Sequence, residues 1–147
     1  MHLQSFVSKL NRVNSRYSSN TFRVYVGRRV PEGVKKIIIV DDERDIRLAL
    51  RVALTARAFE VAEAGDSQGV LDMLTAERPD LILLDVDMPD VDGLQLCRSI
   101  RVKSGVRIIV MSAGGVERAA ALSAGANDFI PKPFSIEELV SRIQALV

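Results

Sequence analysis

From Lys35 onward the hydrophobic positions follow two alternating rhythms. Continuous runs of mostly branched apolar residues stand at Ile37–Val40, Leu81–Leu84 and Val106–Val110, the pattern of strands covered on both faces of a sheet. Shorter strand-like stretches lie at Phe59–Glu63 and Asn127–Ile130. Between them the period becomes helical. Residues 43–57 put Ile46, Ala49, Leu50, Ala53 and Leu54 on one face. Residues 67–77 are helical and stop before Pro79. Leu94–Val102 keeps the same period, and the Ala-rich residues 116–124 end at Gly125. Ser135–Val147 is the clearest helix, with Ile136, Leu139, Val140 and Ile143 on one face and Ser135 and Glu138 at capping-box spacing. Five strand–helix units in succession predict an α/β domain, a parallel sheet with helices on both faces.

Residues 1–34 have a different texture. They are rich in Ser, Asn and Arg and carry six Lys/Arg against one acid, whereas residues 35–147 carry fourteen Lys/Arg against eighteen acids. The net charge of +1 therefore divides into a basic arm, 1–34, and a mildly acidic domain, 35–147. Within the arm, Leu3, Phe6, Val7, Leu10 and Val13 recur at helical spacing. Phe22, Val24 and Val26 alternate like a short strand, and Pro31 and Gly33 break the chain. The arm is expected to be poorly ordered and flexible. A partner-binding or membrane-surface helix, or a transit segment, are the other readings of its composition.

Composition excludes several classes. No apolar run approaches the roughly 18 residues of a membrane span. The acidic domain offers no broad nucleic-acid surface. His2 is the only histidine, which argues against His-based catalysis and His-rich metal sites. Cys97 is the only cysteine, so no internal disulfide can form, which favours a reducing compartment. Its helical register with Leu94 and Ile100 makes it a buried structural thiol.

The candidate chemistry stands at the ends of the apolar runs, where open parallel sheets bind their ligands. Asp41, Asp42 and Glu43 follow the first run, Asp85 and Asp87 follow Leu81–Leu84, Ser112 follows Val106–Val110, and Lys132 lies beyond Phe129 between two prolines. Carboxylates about 4 Å apart repel by roughly 4 kcal/mol per pair at an effective dielectric near 20. One lysine cannot neutralise three of them, but a hard divalent cation such as Mg²⁺ can, and it brings a phosphoryl group with it. A carboxylate on a rigid strand tip could accept that phosphoryl as an aspartyl phosphate, with Lys132 and Ser112 holding its oxygens. Asp90 and Asp92 read as turn and cap residues, with Gly93 closing the turn.

Taken together these motifs resemble the receiver domain of bacterial two-component response regulators over residues 35–147. IIIVDDE is similar to the family's first strand and acidic pair, LILLDVDMPDVDG to its phosphoacceptor strand, MSA to its switch hydroxyl with a small neighbour, and DFIPKPF to its aromatic, Lys-Pro and Phe signature. The resemblance implies a flavodoxin-like, doubly wound, five-stranded parallel sheet of order 2-1-3-4-5. It implies Asp85 as phosphoacceptor, Asp42 as a direct Mg²⁺ ligand, Asp41 as a ligand through water, and the main-chain carbonyl of Asp87 as a third protein ligand. Ser112 and Lys132 become the groups that hold the phosphoryl, and Phe129 the aromatic that moves inward on activation. The side chain of Asp87 lies at a position that tunes the lifetime of the phosphoryl group. The stretch from Ser112 to Lys132 is about two residues shorter than in most relatives, around Gly114 and Gly115.

The last helix, FSIEELVSRIQALV, resembles receivers of the winged-helix transcription-factor subfamily (OmpR/PhoB-type), which implies a homodimer on phosphorylation. Arg118, Asp128, Glu138 and Arg142 match its dimer face, while Val116 and Asn127 replace acids often found there. The implied partner is a sensor histidine kinase or a phosphotransfer protein, and the implied setting is cytoplasmic. No direct nucleic-acid contact is expected from residues 35–147, either in a stand-alone receiver or in the receiver part of a longer protein. Such a domain is not an enzyme toward other substrates and catalyses only its own phosphoryl transfer and hydrolysis. Two other readings remain open on the residues alone: an unphosphorylated interaction module of the same fold, and a haloacid-dehalogenase-type phosphatase with Asp85 as nucleophile and Asp87 as acid/base.

Overall fold

The computed structural model describes residues 3, 5 and 33–147. The strand-like reading of Phe22, Val24 and Val26, and the helical reading of Phe6 to Val13, lie outside the described residues. The domain runs β1 (Lys36–Val40), α1 (Arg44–Thr55), β2 (Glu60–Ala64), α2 (Ser67–Glu77), β3 (Leu81–Asp85), α3 (Gly93–Lys103), β4 (Arg107–Ser112), α4 (Arg118–Ser123), β5 (Asp128–Pro131) and α5 (Ile136–Leu146). All neighbouring strands are parallel, in the order β2-β1-β3-β4-β5. This is the flavodoxin-like order 2-1-3-4-5.

Strand alternation divides the core into two layers. Ile38, Val40, Ile82, Leu84, Ile108 and Val110 form one layer with Val70 of α2, Leu96, Cys97 and Ile100 of α3, and Ala121 of α4. Ile37, Ile39, Leu81, Leu83, Ile109 and Met111 form the other with Ala49, Leu50, Ala53 and Leu54 of α1 and Leu139, Val140 and Ile143 of α5. Both faces of β1 and β3 are therefore covered, which is why these strands read as unbroken apolar runs. Cys97 is fully buried, and burial pushes its thiol pKa up, as suits an inert structural thiol. Leu3 also lies in the α1/α5 layer, 7 % exposed, while Ser5 is exposed. At Leu3 the basic arm touches the domain.

Helix boundaries follow local chemistry. Asp66, Asp92 and Ser135 each cap a helix by accepting from the N–H three residues on. The Ser135 cap fits the expected capping-box spacing, and the Glu138 carboxylate takes Arg142 one turn further on. The turn after β3 departs from the expected role of Gly93. Asp90 supplies its left-handed residue at φ 59°, and Gly93 already begins α3. Glycine is required at 93 for space, since a Cβ there would stand 2.5 Å from Val86 Cα.

Candidate functional site

Each sequence-predicted site residue stands at or just past the C-terminal end of a strand. Asp85 closes β3 and continues the side-chain alternation of Leu81 and Leu83, so it points to the α1/α5 side. Asp41 follows β1 directly and Ser112 closes β4. All three are buried, at 1 % exposed for Asp41, 2 % for Asp85 and 0 % for Ser112. Buried polar side chains at these depths require partners, and most of the partners belong to the site itself.

Asp85 Oδ1 accepts from Lys132 Nζ at 3.0 Å and from the Asp87 N–H at 2.9 Å. Lys132 reaches the site from the loop after β5, where its own N–H donates to the Ser112 carbonyl at 2.8 Å and ties that loop to β4. Burial opposes the lysine's charge, but the hydrogen bond and charge of Asp85, with Asp41 and Asp87 adding, outweigh it and raise the Lys132 pKa. The lysine is therefore a permanent cation here.

Asp41, Asp42 and Asp85 bring carboxylate oxygens within 4.8 Å of one another, with Asp42 exposed. Asp41 Oδ1 accepts from the Glu43 N–H at 2.8 Å, whereas Asp41 Oδ2 is buried with no partner. Burial, reinforced by the Asp85 charge, pushes the Asp41 pKa up to about 7, against the opposing pull of the Glu43 N–H and of Lys132. The acidic pair is not merely a helix cap, because the residue at the N-cap of α1 is Glu43, whose side chain makes no capping bond. An orphaned buried oxygen facing two other carboxylates is the donor set that a hard divalent cation fits.

Asp87 is where sequence reasoning missed the local arrangement. Its side chain does not merely lie beside the site: Oδ1 accepts from Ser112 Oγ at 3.1 Å, and Oδ2 accepts from the Ala113 N–H at 2.7 Å and stands 3.6 Å from Lys132 Nζ. The contribution of the Ala113 amide depends on the path of the loop after β4 and has no signal in residue type. Phe129 is buried, 8 % exposed, in the layer that contains α4. A cavity of about 520 Å³ opens over the site, with Asp85, Asp87 and Lys132 on one side and Leu3, Ile46 and Phe134 on the other. The apolar wall, and Leu3 above all, were not apparent as site residues in the sequence.

The four candidate dimer-face residues also meet, within one chain. Arg118 and Arg142 each reach Asp128 at 3.0 Å, and Arg142 reaches Glu138 at 3.3 Å. Burial would raise the Asp128 pKa, but the Phe129 N–H and the two arginines outweigh it and hold the carboxyl below its usual range. Asn127, which replaces an acid of that face, has a structural task instead: its Oδ1 accepts from the Ile108 N–H and from Arg101, both at 2.9 Å. Among the described residues no helix is long and apolar enough to cross a membrane.

Residues 37–144 match the family model described as the response regulator receiver domain. The response regulator MprA of Mycolicibacterium vanbaalenii is 43 % identical over 115 residues, covering 76 % of this chain and 50 % of that protein. The chain thus spans about half the length of the curated relatives it matches. Among solved structures, the receiver domain of the TMAO respiratory system response regulator TorR is similar at a TM-score of 0.72 and 33 % identity, covering 76 % of this chain and 95 % of that one. The BeF3-activated receiver domain of Klebsiella pneumoniae RstA is similar at 0.71 and 25 %, covering 76 % and 97 %. With its strand order, its acidic cluster and its lysine in register with these proteins, the chain belongs to the response regulator receiver domain family.

Proposed function

We propose that this receiver is a phosphorylation-controlled switch in which Asp85 accepts a phosphoryl group from the phosphohistidine of a sensor histidine kinase or a phosphotransfer protein. The observation that carries the reading is Asp85 itself, buried at the tip of the central strand and held by Lys132 at 3.0 Å beside two further carboxylates. Among the described residues, both donors to Asp85 lie on Oδ1, so Oδ2 is the attacking oxygen. It forms the new P–O bond as the donor's P–N bond breaks, and the histidine leaves with the electron pair. Hydrolysis reverses the modification when water attacks phosphorus and Asp85 leaves as the carboxylate. The chain's own catalysis is confined to these two steps.

Asp41, Asp42, Asp85 and the main-chain carbonyl of Asp87 are the groups that would hold Mg²⁺, Asp42 directly and Asp41 through water. The ion supplies neutralising charge to the carboxylates and to the phosphoryl oxygens. Lys132 and the Ser112 hydroxyl take two of those oxygens, and Phe129 relays the state of Ser112 to the face bearing α4 and α5. On that face Arg118, Asp128, Glu138 and Arg142 guide a symmetric homodimer. The ion pairs exist already within one chain, so dimerisation exchanges partners and sets register more than affinity. The similarity to a receiver described as BeF3-activated supports a site that accepts a phosphoryl-like group. The setting is cytoplasmic, residues 1–34 act as an arm outside the phosphorylation machinery, and residues 35–147 make no direct nucleic-acid contact.

Intact-mass measurement after incubation with acetyl phosphate and Mg²⁺ tests this reading. One phosphoryl adds about 80 Da. The gain should disappear in Asp85→Asn and in excess EDTA. A full gain in Asp85→Asn would move the nucleophile elsewhere.

A further inference from the structure

Three donors on three separate segments converge on the Asp87 carboxylate. The Ser112 hydroxyl comes from the end of β4, the Ala113 N–H from the loop beyond it, and the Lys132 ammonium from the loop after β5, at 3.1, 2.7 and 3.6 Å. The Asp87 N–H in turn donates to Asp85, so the carboxylate is anchored one bond away from the attacking residue. A hydroxyl and a backbone amide each have one proton to give. While Asp87 holds both, neither is available to another anion.

Ser112 and Lys132 are the groups assigned above to the phosphoryl oxygens, and the inference rests on that reading. We propose that the Asp87 carboxylate is a built-in stand-in for the phosphoryl group. In the unmodified protein it occupies the anion site and holds Ser112, Ala113 and Lys132 in the arrangement that a phosphoryl on Asp85 would otherwise impose. A phosphoryl brings three strong acceptor oxygens and nearly two negative charges. The two anions cannot share single-proton donors at these distances, so phosphorylation expels the Asp87 side chain. The same contacts explain why Ser112 is wholly buried and turned toward the site, with Phe129 inward, in a protein carrying no phosphoryl group. Asp87 is thus a positioning residue for the unmodified switch and a competitor for the incoming group.

The test uses the full chain with Asp87→Asn and Asp87→Ala, which leave the main-chain carbonyl in place. The probe is beryllofluoride with Mg²⁺, titrated by calorimetry. Removing the competing carboxylate should tighten beryllofluoride binding about tenfold in both variants, equivalent to about 1.4 kcal/mol. Without metal or beryllofluoride, the Ala113 amide should lose hydrogen-exchange protection in Asp87→Ala relative to the parent chain. Exchange at β1 and β3 amides reports whether the fold is intact. Equal or weaker beryllofluoride binding in both variants would overturn the inference and leave the phosphoacceptor reading standing. Unchanged protection of Ala113 would overturn it as well. Failure of the parent chain itself to bind beryllofluoride would remove the phosphoacceptor reading and this inference together.

Discussion

Asp41→Asn should make the metal-free protein more stable while weakening its response to Mg²⁺. In the native fold Asp41 Oδ2 is buried without a partner, and its carboxylate shares a 4.8 Å neighbourhood with Asp42 and Asp85. A pair of charges at that separation repels by about 3.5 kcal/mol at an effective dielectric of 20. Burial raises the Asp41 pKa from 3.8 to about 7, which corresponds to a cost on the order of 4 kcal/mol for holding the ionised form in the fold. Asparagine keeps an oxygen for the Glu43 N–H and offers an N–H to the neighbouring carboxylates. The expected gain is therefore about 2–4 kcal/mol, or a urea midpoint higher by about 1–2 M. The sign with pH follows from proton binding. Between about pH 4 and pH 7 the native state holds a proton on Asp41 that the unfolded chain has released, so parent stability falls as pH rises across that window and the deficit is complete above it. Urea unfolding in EDTA should show the full gap at pH 8 and a much smaller one at pH 5. Saturating Mg²⁺ should then stabilise the parent more than the variant. A variant no more stable than the parent at pH 8 in EDTA, or a gap as wide at pH 5 as at pH 8, would refute the reasoning.

Gly93→Ala should destabilise the domain by about 1–3 kcal/mol although alanine is the better helix former, because its Cβ would stand 2.5 Å from Val86 Cα; a thermal melt showing stabilisation would contradict the close approach. Leu3→Ala should cost up to about 2 kcal/mol through lost burial in the α1/α5 layer, measured by chemical denaturation, while a chain beginning at Lys35 should still gain one phosphoryl on Asp85. Sedimentation should show the phosphorylated protein as a dimer, and Glu138→Arg, which places like charge beside Arg142, should leave it monomeric while Asp85 still labels. A dimer that survives that reversal would place the interface elsewhere.

What the sequence determined by itself is everything that depends on near neighbours along the chain. Branched apolar runs mark β1, β3 and β4, a 3.6-residue period marks α1 and α5, and capping residues mark where helices begin. Because strand ends in such a sheet share one edge, the convergence of Asp41, Asp85, Ser112 and Lys132 also followed from their positions after the apolar runs. The tertiary structure alone decided what each side chain finds once it arrives there. Asp87 reaches Ser112 and Ala113 across 25 and 26 residues of sequence. Asn127 leaves the dimer network to hold Ile108 and Arg101, and the four charges of the α4-β5-α5 face pair within one chain. Leu3 enters the core on the side of the phosphoacceptor. These contacts depend on distances of a few ångströms between segments far apart in sequence, set by loop paths and packing, and residue spacing carries no record of them.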